Sequence, residues 1–142
     1  MAIRNSEAVW EGSLKDGKGK VKLASGAFEG SYTWSSRFEN GQGTNPEELL
    51  GAAHAGCFSM ALSSNLGKAG FTPAHIHTTV QVTIEPVAGK STITRIHIDT
   101  EARVPEIKDA QFQEIAEAVK GSCPVSVALA SVPMTLTAKL MA

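Results

Sequence analysis

The sequence predicts an α+β fold in which antiparallel sheets pack around one long, buried central helix. Three observations lead there. Leu49–Leu62 is a largely apolar stretch, with a helix start signal before it at Asn45 and Pro46 and a stop signal beyond it at Gly70. Residues 76–104 alternate apolar and polar side chains with the period of a strand. Strand-like segments also cluster apart from helix-like ones, which argues against a doubly wound sheet. At 142 residues the chain suits a single domain, 1–142.

Taken in order, the first third is rich in glycine and serine. Segments around Ala8–Leu14, Lys20–Ala24 and Gly30–Trp34 read as a meander of short strands joined by tight turns. Ser35–Thr44 reads as a polar loop carrying Arg37. The long helix follows, with Asn45 as N-cap, Pro46 at the first helical position and Glu48 at N3, as in a capping box. Glu47 and Glu48 complement the positive end of its dipole, and Gly70 closes it with Pro73 beyond. Between these signals the helix is apolar nearly all round, so it is expected to be buried on most sides. Small residues recur along it, Gly51 with Ala55 and Ala52 with Gly56, a spacing that lets another backbone approach closely. A core helix of one domain and a helix packed against its own copy both fit.

Two strands come next. Ile76, Thr78, Val80, Val82 and Ile84 point one way and His77, Thr79, Gln81, Thr83 and Glu85 the other. After a turn at 86–90, Ile96, Ile98, Ala102 and Val104 repeat the pattern, giving a hairpin with one buried and one wet face. Asp109 is placed to cap an amphipathic helix carrying Phe112, Ile115, Ala116 and Val119, and Gly121 to end it. Pro124 restarts a helical turn through Leu129, and Met134–Leu140 alternates as a last strand.

Composition narrows the function classes. Hydrophobic residues make up 42% of the chain, enough for a core, and the net charge of −1 recruits neither nucleic acid nor an anionic membrane surface. The longest apolar stretch, Leu49–Leu62, falls short of the ~20 residues that span a bilayer. Met1–Asn5 leads directly into mixed polar sequence and does not resemble a signal peptide. The expectation is a cytoplasmic protein.

The two cysteines are the chemical clue. Cys57 and Cys123 fit two inert thiols, a structural disulfide or a redox pair. Cys57 is mid-helix among apolar residues, where burial raises a thiol pKa, so it needs a nearby cation to act as a nucleophile. Cys123 directly precedes Pro124, at the start of a helical turn, where partial positive charge favours a thiolate. His54, three residues before Cys57 on the same helical face, invites a Cys–His dyad, although a histidine hydrogen-bonded within the core is the plainer reading. His75, His77 and His97 sit on polar strand faces with no further ligand at metal spacing.

The run Asn45-Pro46-Glu47-Glu48-Leu49-Leu50-Gly51-Ala52-Ala53-His54-Ala55-Gly56-Cys57-Phe58-Ser59-Met60-Ala61-Leu62 resembles the signature of the osmotically inducible protein C / organic hydroperoxide resistance family. Gly70-Phe71-Thr72-Pro73 and Cys123-Pro124-Val125-Ser126 match as well, and the His54-Ala55 form resembles the osmotically inducible protein C branch. The resemblance covers essentially the whole chain. It implies an intertwined homodimer, a role in the osmotic stress response, and a cofactor-free thiol peroxidase acting on organic hydroperoxides and more weakly on hydrogen peroxide. Cys57 would attack the peroxide and Cys123 would resolve the sulfenic acid as a disulfide. An arginine and a helix-start glutamate would complete the site. An external dithiol, of the lipoyl type, would reset the pair.

Elementary chemistry fits that scheme. A peroxidatic thiolate attacks an O–O bond, releases an alcohol and becomes a sulfenic acid, which a second thiol converts to a disulfide. Arg37 is the best cation on a site-lining loop, with forked donors for both thiolate and departing oxygen. Leu, Phe and Met side chains near Cys57 are expected to supply an apolar wall. Glu47 lies ten residues before Cys57, about 15 Å away along one helix, so it cannot touch its own Cys57. If it belongs to the site it arrives from the partner subunit, with the role of orienting Arg37. Glu48 is the weaker alternative and is better explained as a cap. Two rivals remain: a Cys57/His54 acyltransferase or hydrolase, and a non-catalytic stress-induced dimer.

Overall fold

A computed structural model describes residues 1–142. Its elements run β1 (Ser6–Glu11), β2 (Lys18–Leu23), β3 (Glu29–Tyr32), α1 (Trp34–Phe38), α2 (Pro46–Lys68), β4 (His75–Val87), β5 (Lys90–Arg103), α3 (Asp109–Ser122), α4 (Pro124–Ala128) and β6 (Met134–Met141). The chain falls into two compact units, Met1–Leu49 and Leu50–Ala142.

In the first unit β1, β2 and β3 form the expected antiparallel meander. Gly19 stands opposite both Trp10 and Tyr32, whose rings lie 5.3 Å apart. A Cβ at Gly19 would come within 2.6 Å of both rings, so only glycine lets the two aromatics close over the middle strand. The segment read as a polar loop contains a helical turn instead. Thr33 caps α1 by accepting from Ser36 N at 3.1 Å, while Ser36 Oγ accepts from Thr33 N at 2.8 Å. A serine replaces the usual glutamate or glutamine of a capping box, which hides the signal in sequence. Ser36 Oγ also donates to Thr44 O at 2.8 Å, and Asn45 Nδ2 donates to Ser36 O at 3.1 Å. These bonds fix the turn that carries Arg37. The buried side chains of this unit, Ser36, Thr44 and Glu47, are all polar.

Helix α2 starts as expected, with Glu48 N donating to Asn45 Oδ1 at 2.7 Å. The capping box is only half formed, because Glu48 Oε2 accepts from Thr44 Oγ1 rather than from the cap backbone. At the other end Gly70, with φ +93°, lets Phe71 N reach Leu66 O and Gly70 N reach Gly67 O, the bond pair of a Schellman motif. Burial along α2 is narrower than expected. Gly51, His54, Phe58, Leu62 and Leu66 form one buried stripe, while Ala52, Ala53, Gly56 and Met60 remain exposed in the single chain. Small side chains leave a broad apolar surface that one sheet cannot cover. Gly51 has an intrachain reason for its size, since a Cβ there would lie 3.3 Å from Val80 O.

The second sheet has the order β4-β5-β6. β4 and β5 form the expected antiparallel hairpin, turning at Ala88 and Gly89, both with positive φ, and bulging between Thr83 and Ile84. β6 runs parallel to β5, so this sheet is mixed rather than antiparallel. The chain between them passes through α3 and α4, and such a crossover lets the last strand enter in the same direction as β5. Ile96, Ile98, Thr100 and Ala102 of β5 are buried together with Phe58, Leu62 and Leu66 of α2 and Phe112, Ala116 and Val119 of α3. Helix α3 is capped at Lys108 without a side-chain bond, so Asp109 is its first residue rather than its cap, and it runs one residue past Gly121. No helix is long and apolar enough to cross a membrane.

Candidate active site

The residues singled out from sequence gather into two clusters, one in each unit. In the second unit the two cysteines meet, and both are free thiols. Cys57 is partly exposed and Cys123 is buried. Burial is the largest influence on Cys57 and pushes its pKa above the ordinary thiol value. The backbone N–H of Val125 pulls it back, and the contact with the Cys123 thiol pushes it up again. None of these three influences is a positive charge, so the expected need for a cation stands.

Cys123 sits where α3 ends and α4 begins. Its own N–H closes α3 on Val119 O at 3.0 Å, and its Sγ caps α4 by accepting from Ser126 N at 3.4 Å. The expectation of a cysteine at a helix start is met. However, α4 is a five-residue turn, so the local N–H matters here rather than an extended dipole. Sγ also donates to Ser126 Oγ at 3.2 Å. That hydroxyl lies 2.7 Å from His54 Nε2, and all three residues are buried.

This arrangement removes the Cys57/His54 dyad. One ring nitrogen of His54 is engaged by Ser126 and the other, Nδ1, is buried with no hydrogen-bond partner. Burial pushes the His54 pKa below its ordinary value, so the ring is neutral at pH 7. The expected apolar wall also changes: Phe58 and Leu62 point into the core, and Met60 lies exposed on the helix. Ser126 was not singled out from sequence. Its position three residues after Cys123 is a capping spacing, but nothing local ties it to a histidine 72 residues away.

In the first unit Arg37 and Glu47 form a forked ion pair within one chain. Arg37 Nε donates to Glu47 Oε1 and Oε2, both at 3.2 Å, and Nη2 donates to Oε1 at 2.8 Å. The Glu47 side chain is 7% exposed and that of Arg37 35%. A buried carboxylate thus holds the flat guanidinium in one orientation and leaves its outer edge open. Glu47 rather than Glu48 makes this contact, since Glu48 is engaged with Thr44. His75, His77 and His97 lie outside both clusters. His77 approaches Glu101 at 3.6 Å and His97 bonds Thr135 and Thr137 on the polar face of the second sheet. No three His, Cys, Asp or Glu residues stand together as a metal site.

Comparison with known proteins gives this geometry a family. The model of the family described as OsmC-like protein matches residues 39–137. The chain belongs to the OsmC-like family. It is 48% identical over 124 residues to Peroxiredoxin OsmC of Escherichia coli (strain K12), an alignment covering 87% of each chain. Among solved structures it is similar to an OsmC-like protein from Mycoplasma pneumoniae (TM-score 0.77, 15% identity, 99% of each chain covered). It is also similar to an organic hydroperoxide resistance protein OsmC from Legionella pneumophila (TM-score 0.73, 19% identity, 98% of this chain and 99% of that one). At such low identities these structures speak for the fold, and the mixed α+β architecture is that of the family.

Proposed function

We propose that this chain is a thiol-dependent peroxidase that reduces organic hydroperoxides, and hydrogen peroxide more weakly, in the cytoplasm. The observation that carries the reading is that a partly open thiol, Cys57, and a buried one, Cys123, are neighbours. The name of the Escherichia coli relative, a peroxiredoxin, points the same way.

In the first step the Cys57 thiolate attacks the distal peroxide oxygen. The O–O bond breaks, Cys57 becomes a sulfenic acid, and the alkoxide takes a proton to leave as an alcohol. In the second step Cys123 sulfur attacks the Cys57 sulfur, forming the disulfide and releasing water. An external dithiol of the lipoyl type then reduces the disulfide by two exchanges and is itself oxidised. Arg37 supplies the cation for the Cys57 thiolate and a donor for the departing oxygen, while Glu47 holds it in place. With Glu47 about 15 Å from Cys57 along α2, that pair serves the Cys57 of a second subunit, and the working unit is an intertwined homodimer. The apolar face that α2 leaves exposed in the single chain favours the same assembly.

The test is turnover of a purified organic hydroperoxide, such as cumene hydroperoxide, with a dithiol as reductant. Steady consumption with a dithiol and little with a monothiol is expected. A wild-type chain that leaves the hydroperoxide untouched under both conditions would refute the reading.

A further inference from the structure

Three buried groups in the second unit form a continuous hydrogen-bonded line from Cys123 to His54. Cys123 Sγ donates to Ser126 Oγ at 3.2 Å, and Ser126 Oγ lies 2.7 Å from His54 Nε2. A serine hydroxyl has one proton. With Oγ receiving the thiol proton, its own proton can pass to His54 Nε2 in the tautomer that carries the ring hydrogen on Nδ1. In that tautomer the ring hydrogen is on Nδ1, which is buried and has no partner within the chain. A histidine kept only for packing would be expected to turn its donor to a carbonyl. Here Nδ1 has no partner within the chain and Nε2 faces the serine.

We propose that Ser126 and His54 are a proton relay for Cys123, drawing the thiol proton away as its sulfur closes the disulfide on Cys57. The inference rests on the peroxidase reading for its place in the cycle. The bookkeeping is simple. Cys123 sulfur forms the S–S bond, the Cys57 S–O bond breaks, and hydroxide departs. The thiol proton moves to Ser126 Oγ while the hydroxyl proton moves to His54 Nε2. The hydroxide takes a proton from water and the imidazolium returns one, so thiol plus sulfenic acid gives disulfide plus water. No group other than these two cysteines changes oxidation state.

Burial holds the imidazolium unfavourable at rest, as the lowered His54 pKa shows. The proton therefore stays on Cys123 until sulfur–sulfur bonding draws charge out of the thiol. Ser126 touches a reacting atom. His54 acts through Ser126 as a positioning residue. The backbone N–H of Ser126, on Sγ at 3.4 Å, holds the sulfur in place whichever side chain follows.

The relay can be tested without peroxide. A thionitrobenzoate group is attached to Cys57 with Ellman's reagent, and attack by Cys123 then releases a second coloured thionitrobenzoate. Relative to the first release, the second should slow by roughly 10²-fold or more in Ser126→Ala. His54→Gln should show the same selective slowing, and Ser126→Thr, which restores the hydroxyl, should recover most of the rate. Circular dichroism verifies folding, and His54→Gln carries the test alone should Ser126→Ala fail to fold. Second release at the wild-type rate in a folded variant, or no recovery with threonine, overturns the relay. A wild type inert to hydroperoxide but with Ser126-dependent second release would refute the peroxidase reading and leave the relay standing.

Discussion

Cys57 and Cys123 are neighbours, yet the regions that hold them are built differently. Cys57 lies on the long helix α2, partly open, with its ionisation opposed by burial and by the neighbouring thiol. Cys123 lies at the junction of two helices, with its backbone closing α3 and its sulfur both accepting from and donating to Ser126. One sulfur is accessible and short of a cation. The other is shielded and already connected to a path for its proton. On the proposed reading, that difference teaches how two chemically identical thiols would divide a reaction: exposure selects the one that meets the peroxide, and hydrogen bonding the one that waits.

The largest expected effect breaks this comparison on its accessible side. Cys57→Ser should lower hydroperoxide turnover by roughly 10³-fold or more, measured as peroxide loss per enzyme. A partly exposed thiol-to-hydroxyl change should leave thermal unfolding almost unmoved. Arg37→Ala comes next. It should slow the first step by ~10²–10³-fold, because the thiolate and the leaving oxygen lose their donor. It also leaves the buried Glu47 carboxylate without its partner, which should destabilise the fold by about 1–3 kcal/mol. Arg37→Lys should recover little activity, since an ammonium cannot reproduce the three bonds to Glu47. Stopped-flow oxidation and chemical denaturation measure the two consequences separately.

Cys123→Ser sharpens the shielded side. The first turnover should survive, and Cys57 should then advance to sulfinic acid at peroxide doses the wild type tolerates. Mass spectrometry of the Cys57 peptide would register two added oxygens. Equal resistance in the variant and the wild type would mean that Cys123 does not resolve the sulfenic acid.

The smallest effects are on stability against pH, and the two groups have opposite signs. Cys57 has a raised pKa in the folded chain, so above the ordinary value of 9.0 the unfolded chain loses its proton first. Stability of the reduced protein should fall as pH rises through that range. His54 has a lowered pKa, so below the ordinary value of 6.5 the unfolded chain binds a proton that the folded chain refuses. Stability should therefore fall as pH drops below that value, and His54→Gln should flatten the acid limb. Denaturation midpoints at about pH 5, 7, 9 and 10.5 would test both signs.

What the sequence revealed follows the range of each interaction. The start of α2 was legible because Asn45, Pro46 and Glu48 act over one turn. The hairpin was legible because alternation is local, and Cys123 at a helix start because Pro124 marks it. Helix α1 was hidden by a serine at N3, a residue that does not usually announce a capping box. Alternation gives a strand's faces but not its direction, so the parallel pairing of β6 was beyond reach. The α2 side-chain pattern suggested burial all round, whereas a single chain buries only one stripe. Small exposed residues such as Ala52 and Gly56 do not reveal in sequence what covers them. At the site, the link between Arg37 and Glu47 followed from the family resemblance, and the two belong to one chain rather than to two subunits. The Ser126–His54 bond joins positions too far apart for any spacing rule.

The most direct test of the account is the intact mass of the reduced chain after one equivalent of cumene hydroperoxide. A loss of two hydrogens per chain, with a peptide linking Cys57 to Cys123, is the predicted result. An unchanged mass, or added oxygen without that link, would contradict it.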